Sequence, residues 1–345
     1  MLPALSDVIE LFASLPAASV AVRGVSLWMA VPYYAVLGGF TWLLTSRPAV
    51  PMPPRVWKRT GPRLANAMAA AAVVVVAGAL VWVAIATRDD GDRLTVTFLD
   101  VGQGDAILIE GPGGQRILVD GGPGGEALSG ALGRQLPFHD RRIDLVVVTH
   151  PQADHIGGLP AALESYDVGA LLDSAFETEW PFYEALVDAA EAAGVPRYVA
   201  ALGQTIDLGG GARIEVIGPE GGLGARADPN DASTVLRVAM GDVSFLLTGD
   251  IEADGEAALV RSGTELRATV LKVAHHGSST STTTAFLSRV APVIDVISVG
   301  TSNTFGHPTV AVLSRLAGDY VMRTDEDGDV RMETDGERLW VMTGR

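Results

Sequence analysis

The run Ile143-Asp144-Leu145-Val146-Val147-Val148-Thr149 leads directly into His150-Pro151-Gln152-Ala153-Asp154-His155-Ile156-Gly157-Gly158. Its first part is largely apolar with a polar end, the pattern of a buried strand. The second part is a loop with two imidazoles and a carboxylate close together, so a strand ending there can aim all three at one point above a sheet. Neutral imidazole with carboxylate is the ligand set of a catalytic zinc or manganese ion. The same residues also read as ordinary loop histidines, with Asp154 capping a helix. Two further apolar runs end alike, Phe245-Leu246-Leu247-Thr248-Gly249-Asp250 on a carboxylate and Lys272-Val273-Ala274-His275-His276-Gly277 on two histidines. Each ending alone is a cap or a solvated residue. Three strand ends carrying metal-type side chains point to one shared site.

Around these runs the pattern predicts an α/β unit from residue 93 onward. Strands are expected at 94–98, 106–110, 116–119, 143–149, 168–172, 214–217, 234–239, 243–247, 270–274, 294–298, 320–323 and 329–333. Helices are expected at 126–136, 157–165, 181–193, 252–261, 283–290 and 309–317. Two runs of strands with helices between and after them predict two sheets packed face to face, helices outside.

The front of the chain is different. Six bases and two acids up to residue 87 leave 19 bases and 39 acids for residues 88–345. Residues 24–46 and 64–87 carry no charge, and each exceeds the about 20 apolar residues that a membrane helix needs. Two transmembrane helices are therefore expected there, the first with Trp28, Tyr33, Tyr34 and Trp42 suited to an interface. The connector 47–63 holds Arg47, Arg55, Lys58, Arg59 and Arg63 with no acid, which places it on the cytoplasmic side and the rest of the chain outside. The net charge of -16 argues against a broad basic nucleic-acid surface. With no cysteine, disulfides, thiolate metal sites and thiol nucleophiles are excluded.

The 150–158 and 246–250 strings and Ala274-His275-His276-Gly277-Ser278 resemble the metallo-β-lactamase fold. A narrower resemblance begins at Phe98-Leu99-Asp100-Val101-Gly102-Gln103-Gly104-Asp105 and Ile117-Leu118-Val119-Asp120-Gly121-Gly122. These look like the start of the extracytoplasmic domain of ComEC-type DNA-uptake (competence) proteins. Asn303-Thr304-Phe305-Gly306-His307-Pro308 and Arg323-Thr324-Asp325 are similar to that family too, and Leu15-Pro16 and Ser26-Leu27-Trp28 resemble the end of its membrane region. The resemblance implies an αββα sandwich over residues 88–345, preceded by a membrane region over 1–87 with two transmembrane helices.

It also implies roles. His150 serves one metal, Asp154 and His155 a second, and Asp250 bridges. One of His275 and His276 completes the second site, because neighbours on a strand point to opposite faces. Asp154 and His307 fall in catalytic positions, His307 as a phosphate contact or proton donor, although it equally reads as a residue at a helix start before Pro308. Asp120 either orients a ligand imidazole or serves a turn. Position 152, usually Asp or His in the family, is Gln152, a poorer ligand that weakens the first site. No histidine lies between His155 and His275, and Asn230, Asp231 and Ser233 occupy the matching segment. The expected function is a multi-pass, membrane-anchored hydrolase with one or two zinc or manganese ions, its hydrolase domain extracytoplasmic. Its expected substrate is DNA, single-stranded, during uptake. The alternatives are a hydrolase of a small ester or phosphodiester and a metal-poor binding module for a separate multi-helix channel protein.

Overall fold

The computed structural model describes residue 78 and residues 93–345, apart from 138, 175, 177 and 220–227. The expected span 24–46, the connector 47–63 and, apart from residue 78, the expected span 64–87 lie outside the described residues. Among the described residues, no helix is long and apolar enough to cross a membrane. The unit Asp90–Arg345 is compact in itself.

Its strands are β1 (Leu94–Phe98), β2 (Ile107–Glu110), β3 (Arg116–Val119), β4 (Arg142–Ile143), β5 (Leu145–Val147), β6 (Asp167–Val168), β7 (Leu171–Asp173), β8 (Arg197–Val199), β9 (Thr205–Asp207), β10 (Arg213–Gly218), β11 (Val235–Met240), β12 (Val243–Leu247), β13 (Val270–Lys272), β14 (Ile294–Ile297), β15 (Tyr320–Arg323), β16 (Val330–Thr334) and β17 (Leu339–Thr343). The helices are α1 (Gly125–Gln135), α2 (Ala153–Ile156), α3 (Leu159–Ser165), α4 (Pro181–Ala192), α5 (Ala253–Ser262), α6 (Thr284–Val290), α7 (Val310–Arg315) and α8 (Thr324–Asp327). One sheet runs β17-β16-β1-β2-β3-β5-β7-β8, the other β15-β14-β13-β12-β11-β10-β9, and β4 pairs with β6 alone.

Period-two alternation sorts the side chains into layers. Ile107, Ile109, Ile117 and Val119 join Phe245, Leu247 and Val270 in the core between the sheets. Their neighbours Leu108 and Leu118 pack outward with Leu128 and Leu132 of α1 and Leu159 of α3. On the other sheet Leu246 and Leu271 pack with Leu259 of α5 and Phe286 of α6. Strands buried on both faces read as continuous apolar runs, which is why the sequence locates them. Each such Leu or Phe contributes about 1.5–3 kcal/mol by leaving water. The result is the expected αββα sandwich.

Three differences from the expected elements have local causes. The run 143–149 is two strands, because the Asp144 carboxylate accepts from the Arg116 backbone N–H at 2.8 Å and diverts residues 142–143 to β6. The run 168–172 divides beside it at Gly169, where a Cβ would stand 2.6 Å from the Asp144 carbonyl oxygen. Strands β8 and β9 have no apolar alternation to betray them, since both lie at sheet edges and bury little. The edge strand β17 instead carries the apolar run 339–342, of which Leu339 and Val341 pack against the core.

The parallel strands position the site. Strands β3, β5, β7 and β8 run parallel in one sheet, and β12 to β15 in the other. Their C-terminal ends, where ligands bind in such sheets, are joined by the Thr234 N–H donating to the Thr149 carbonyl at 2.8 Å.

Away from that end, Asp295 is buried on β14. Burial first, and then the negative charge of Asp319, pushes its carboxyl up to about 8. A carboxyl raised in the fold keeps its proton after the unfolded chain has released its own. Its stabilising contribution is complete below about pH 4 and is lost as pH climbs through the folded value, by about 1.4 kcal/mol per unit. Asp295→Asn, neutral at every pH, is expected to raise the melting temperature most near pH 8 and hardly at all near pH 4. Melting curves of parent and variant that stay parallel across this range would refute the assignment.

Candidate metal centre

Four side chains converge where the strand ends meet. Asp154, His155, Asp250 and His276 each offer one ligand atom, and these atoms all lie within 4.8 Å of one another. Asp154 and His155 sit on α2, a single helical turn in which the Gln152 carbonyl accepts from the N–H groups of His155 and Ile156 at 3.0 Å. The expected loop is thus a helix at this point. Asp250 follows β12, its backbone N–H donating to Ser233 Oγ at 3.2 Å.

The histidine pair does not stand on a strand. Strand β13 ends at Lys272, and residues 274–277 form a tight turn in which His275 (φ 50°) and His276 (φ 52°) are both left-handed. Left-handed backbone costs a non-glycine residue about 1–2 kcal/mol, and here the turn, rather than strand alternation, separates the two rings. His276 is buried in the cluster, whereas His275 turns toward Glu252, with Nδ1 3.1 Å from Oε1.

Hydrogen bonds fix which nitrogen of each ring is left over. His155 Nδ1 lies 2.8 Å from Asp120 Oδ2, and Asp120 also accepts from the Thr149 N–H and Oγ1 at 2.8 and 2.6 Å. Asp120 is therefore an orienting residue as well as a left-handed turn residue (φ 58°). His276 Nδ1 donates to the Ser298 carbonyl at 2.8 Å. Both Nε2 atoms then face Asp250 Oδ2, at 3.2 Å from His155 and 3.3 Å from His276. Neither Nε2 has a hydrogen-bond partner although both are buried, and the same is true of His150 Nε2. Imidazoles held by a carboxylate or carbonyl with the far nitrogen free are the usual arrangement of metal-ligating histidines. The donor set fits a divalent zinc or manganese ion.

Charge follows the geometry. Burial lowers the affinity of His155 for a proton, but Asp250 and Asp120 outweigh it and its pKa stands well above the ordinary value. Burial opposes the charge on Asp250 too, yet His276, His155 and Lys272 hold it well below the carboxylate range. His150 is pushed far down by burial and then by His155. Its ring centroid lies 4.1 Å from that of His155, beside the four-residue cluster.

Two participants escaped the sequence reading. Lys272 is fully buried, donates to the Gly249 carbonyl at 2.9 Å, lies 3.3 Å from Asp250 Oδ1 and pairs closely with Asp105. Asp105 in turn approaches His276 Nδ1 at 3.5 Å. A lone lysine ending a buried apolar run is the signal that marks Lys272, since ammonium is almost never buried unpaired.

The other expected residues lie at the rim. Gln152 donates its amide to Asn230 Oδ1, Asn230 donates to Glu252 Oε1 at 3.4 Å, and Thr280 donates to the same oxygen at 2.9 Å. The Gln152 amide is thus engaged with Asn230, which is itself held by Glu252. His307 is half-buried, its ring 5.8 Å from that of His275.

The chain is similar to ComE operon protein 3 of Bacillus subtilis (strain 168), at 31% identity over 256 residues, 68% of this chain and 32% of that protein. It is also similar to competence protein ComA of Neisseria gonorrhoeae, at 33% identity over 241 residues, 69% of this chain and 32% of that protein. The chain spans about a third of the length of these curated relatives. Among solved structures it is similar to the metallo-beta-lactamase fold protein YhfI from Bacillus subtilis, with 10% identity, a TM-score of 0.46, and coverage of 72% of this chain and 99% of that one. The metallo-beta-lactamase superfamily model matches residues 99–301, a span holding every residue of the centre from Asp105 to Ser298, and the chain belongs to that superfamily.

Proposed function

We propose that this chain is a divalent-metal-dependent phosphodiesterase that cleaves single-stranded DNA during its uptake, held to the cell membrane by residues 1–87 with residues 88–345 outside. The observation that carries this reading is the convergence of Asp154, His155, Asp250 and His276, ligand atoms within 4.8 Å, in a chain similar to competence proteins. Those four residues hold the ion, zinc or manganese. Such an ion supplies Lewis acidity, offsetting charge on phosphoryl oxygens and lowering the pKa of an attacking water.

The protein's own groups do the rest. Asp120 and the Ser298 carbonyl keep the Nε2 atoms of His155 and His276 directed at the ion. Asp154, the most accessible of the four at 30% side-chain exposure, faces arriving substrate. His307 is pushed down by burial and then by the charges of His275 and His276. At neutral pH it is an uncharged imidazole whose N–H contacts a phosphoryl oxygen. The Gln152–Asn230 pair beside His150 supports one tightly held ion rather than two.

A smaller substrate is favoured by one observation, the 39 acids against 19 bases of residues 88–345, which oppose a polyanion. The full chain, supplied with manganese or zinc, is to be assayed on labelled single- and double-stranded DNA and a generic phosphodiester. Metal-dependent cleavage of the single strand is expected, and Gln152→Asp, by adding an anionic ligand, should lower the metal concentration required. Cleavage of the small ester alone would replace the substrate assignment. If parent and Gln152→Asp are both inert with either metal, the hydrolase reading fails and the chain is a binding module for a separate channel protein.

A further inference from the structure

The loop between β14 and α7 carries an aromatic ring at the rim of the centre. Phe305 is 68% exposed, and a single exposed phenylalanine is ordinary on a protein surface. This one is held in place. The Asn303 carboxamide accepts from the N–H groups of Gly306 and His307 at 3.1 and 3.2 Å, and donates to the carbonyls of His307 and Gly300 at 2.9 and 3.3 Å. Gly306 takes the left-handed backbone (φ 76°) that this closed loop requires. At the loop's far end, the Thr309 N–H and Oγ1 both donate to the Gly277 carbonyl, at 2.9 and 3.1 Å, which ties the loop to the turn carrying His276.

The Phe305 ring lies parallel to His307, centroids 6.1 Å apart and planes 16° apart, and His307 faces His275 at 5.8 Å. A row of rings thus leads from His276 outward to Phe305, whose outer face is open. A polyanion approaching a unit with twice as many acids as bases cannot be gripped by a basic groove. Stacking of a nucleobase on an aromatic face is independent of charge and of sequence. We infer that Phe305 is the platform on which an unpaired nucleobase next to the scissile phosphate stacks, making it the residue that sets preference for single-stranded over base-paired nucleic acid. The inference rests on the phosphodiesterase reading above. Bases in a duplex present no free face at this depth, so a paired strand gains nothing from the ring.

The test compares the full chain with Phe305→Ala, Phe305→Tyr and Phe305→Trp. The substrates are a single-stranded DNA oligonucleotide and the same oligonucleotide with abasic residues around the cleavage position, each with manganese. Phe305→Ala is expected to raise KM for the base-bearing strand about 5- to 150-fold, the range found for one lost stacking contact. The loss should fall on KM rather than kcat, should vanish on the abasic strand, and should be restored by Phe305→Tyr. Phe305→Trp fluorescence should be quenched by the base-bearing strand and not by the abasic one, beyond any change in the parent with its six tryptophans. If DNA is cleaved but Phe305→Ala keeps the parental KM, the stacking role is overturned while the phosphodiesterase reading stands. Quenching without cleavage supports the stacking role and removes the hydrolytic one, and neither signal overturns both.

Discussion

Asp250→Ala is expected to abolish metal retention and metal-dependent hydrolysis together. Asp250 Oδ2 is the atom that the imidazoles of His155 and His276 both face, at 3.2 and 3.3 Å, while Oδ1 lies 3.3 Å from the Lys272 ammonium. Its removal leaves two histidines aimed at an empty point and a buried cation with one partner fewer. A residue that merely supports a ligand costs about 10- to 100-fold in metal affinity or activity, so the loss of the shared carboxylate should exceed that, about 1000-fold or more. Removing one partner from a buried ion pair also destabilises a fold, by about 3–5 kcal/mol. Asp250→Asn keeps the shape and is the control for folding. Mass-spectrometric metal content after dialysis should show about one ion per chain in the parent and none in either variant. A correctly folded Asp250→Asn that keeps its ion would remove Asp250 from the ligand set.

The layers of the fold were legible because packing imprints them on the sequence. Strands such as β12 are covered on both faces and appear as unbroken apolar runs, whereas β8, fully exposed at an edge, leaves no trace. The centre was legible in its residue types and less so in its geometry. His150, Asp154, His155 and Asp250 are visible as polar endings of apolar runs. The choice between His275 and His276 depends on two consecutive left-handed residues. Such backbone is uncommon outside glycine, and it is this turn, not alternation along a strand, that separates the two rings. Asp105 comes from the loop after β1 and meets Lys272 only across the sandwich, a pairing that no local spacing records. Residues 1–87 were read from two uncharged stretches, their aromatic residues and the basic connector between them, and the membrane attachment of that region is a proposal.

The Lys272–Asp105 pairing carries the second large effect. Lys272→Met keeps the length and the apolar stem of the side chain and removes only the ammonium, so packing is nearly conserved. What remains is two buried carboxylates, Asp105 and Asp250, and a Gly249 carbonyl with one donor fewer. Attraction to Asp105 and then Asp250 overcomes burial and raises the Lys272 pKa above that of a free lysine, so the ammonium is fully charged at neutral pH. Deleting it should lower stability by about 3–5 kcal/mol, the usual result of stranding a buried charge. Urea unfolding of the metal-free chain at pH 7.5 measures this as a shift in midpoint. Two additions should each recover part of the loss. Asp105→Asn in the same chain removes one stranded charge, which a double-mutant cycle reports as coupling between the two positions. Manganese or zinc, bound only by the folded form, supplies positive charge at Asp250 and stabilises by mass action. A Lys272→Met chain as stable as the parent would mean that the ammonium contributes no net stability. If it were destabilised but indifferent to Asp105→Asn, the deficit would lie with Asp250 and Gly249 alone, and Asp105 would not belong to the charge balance of the centre.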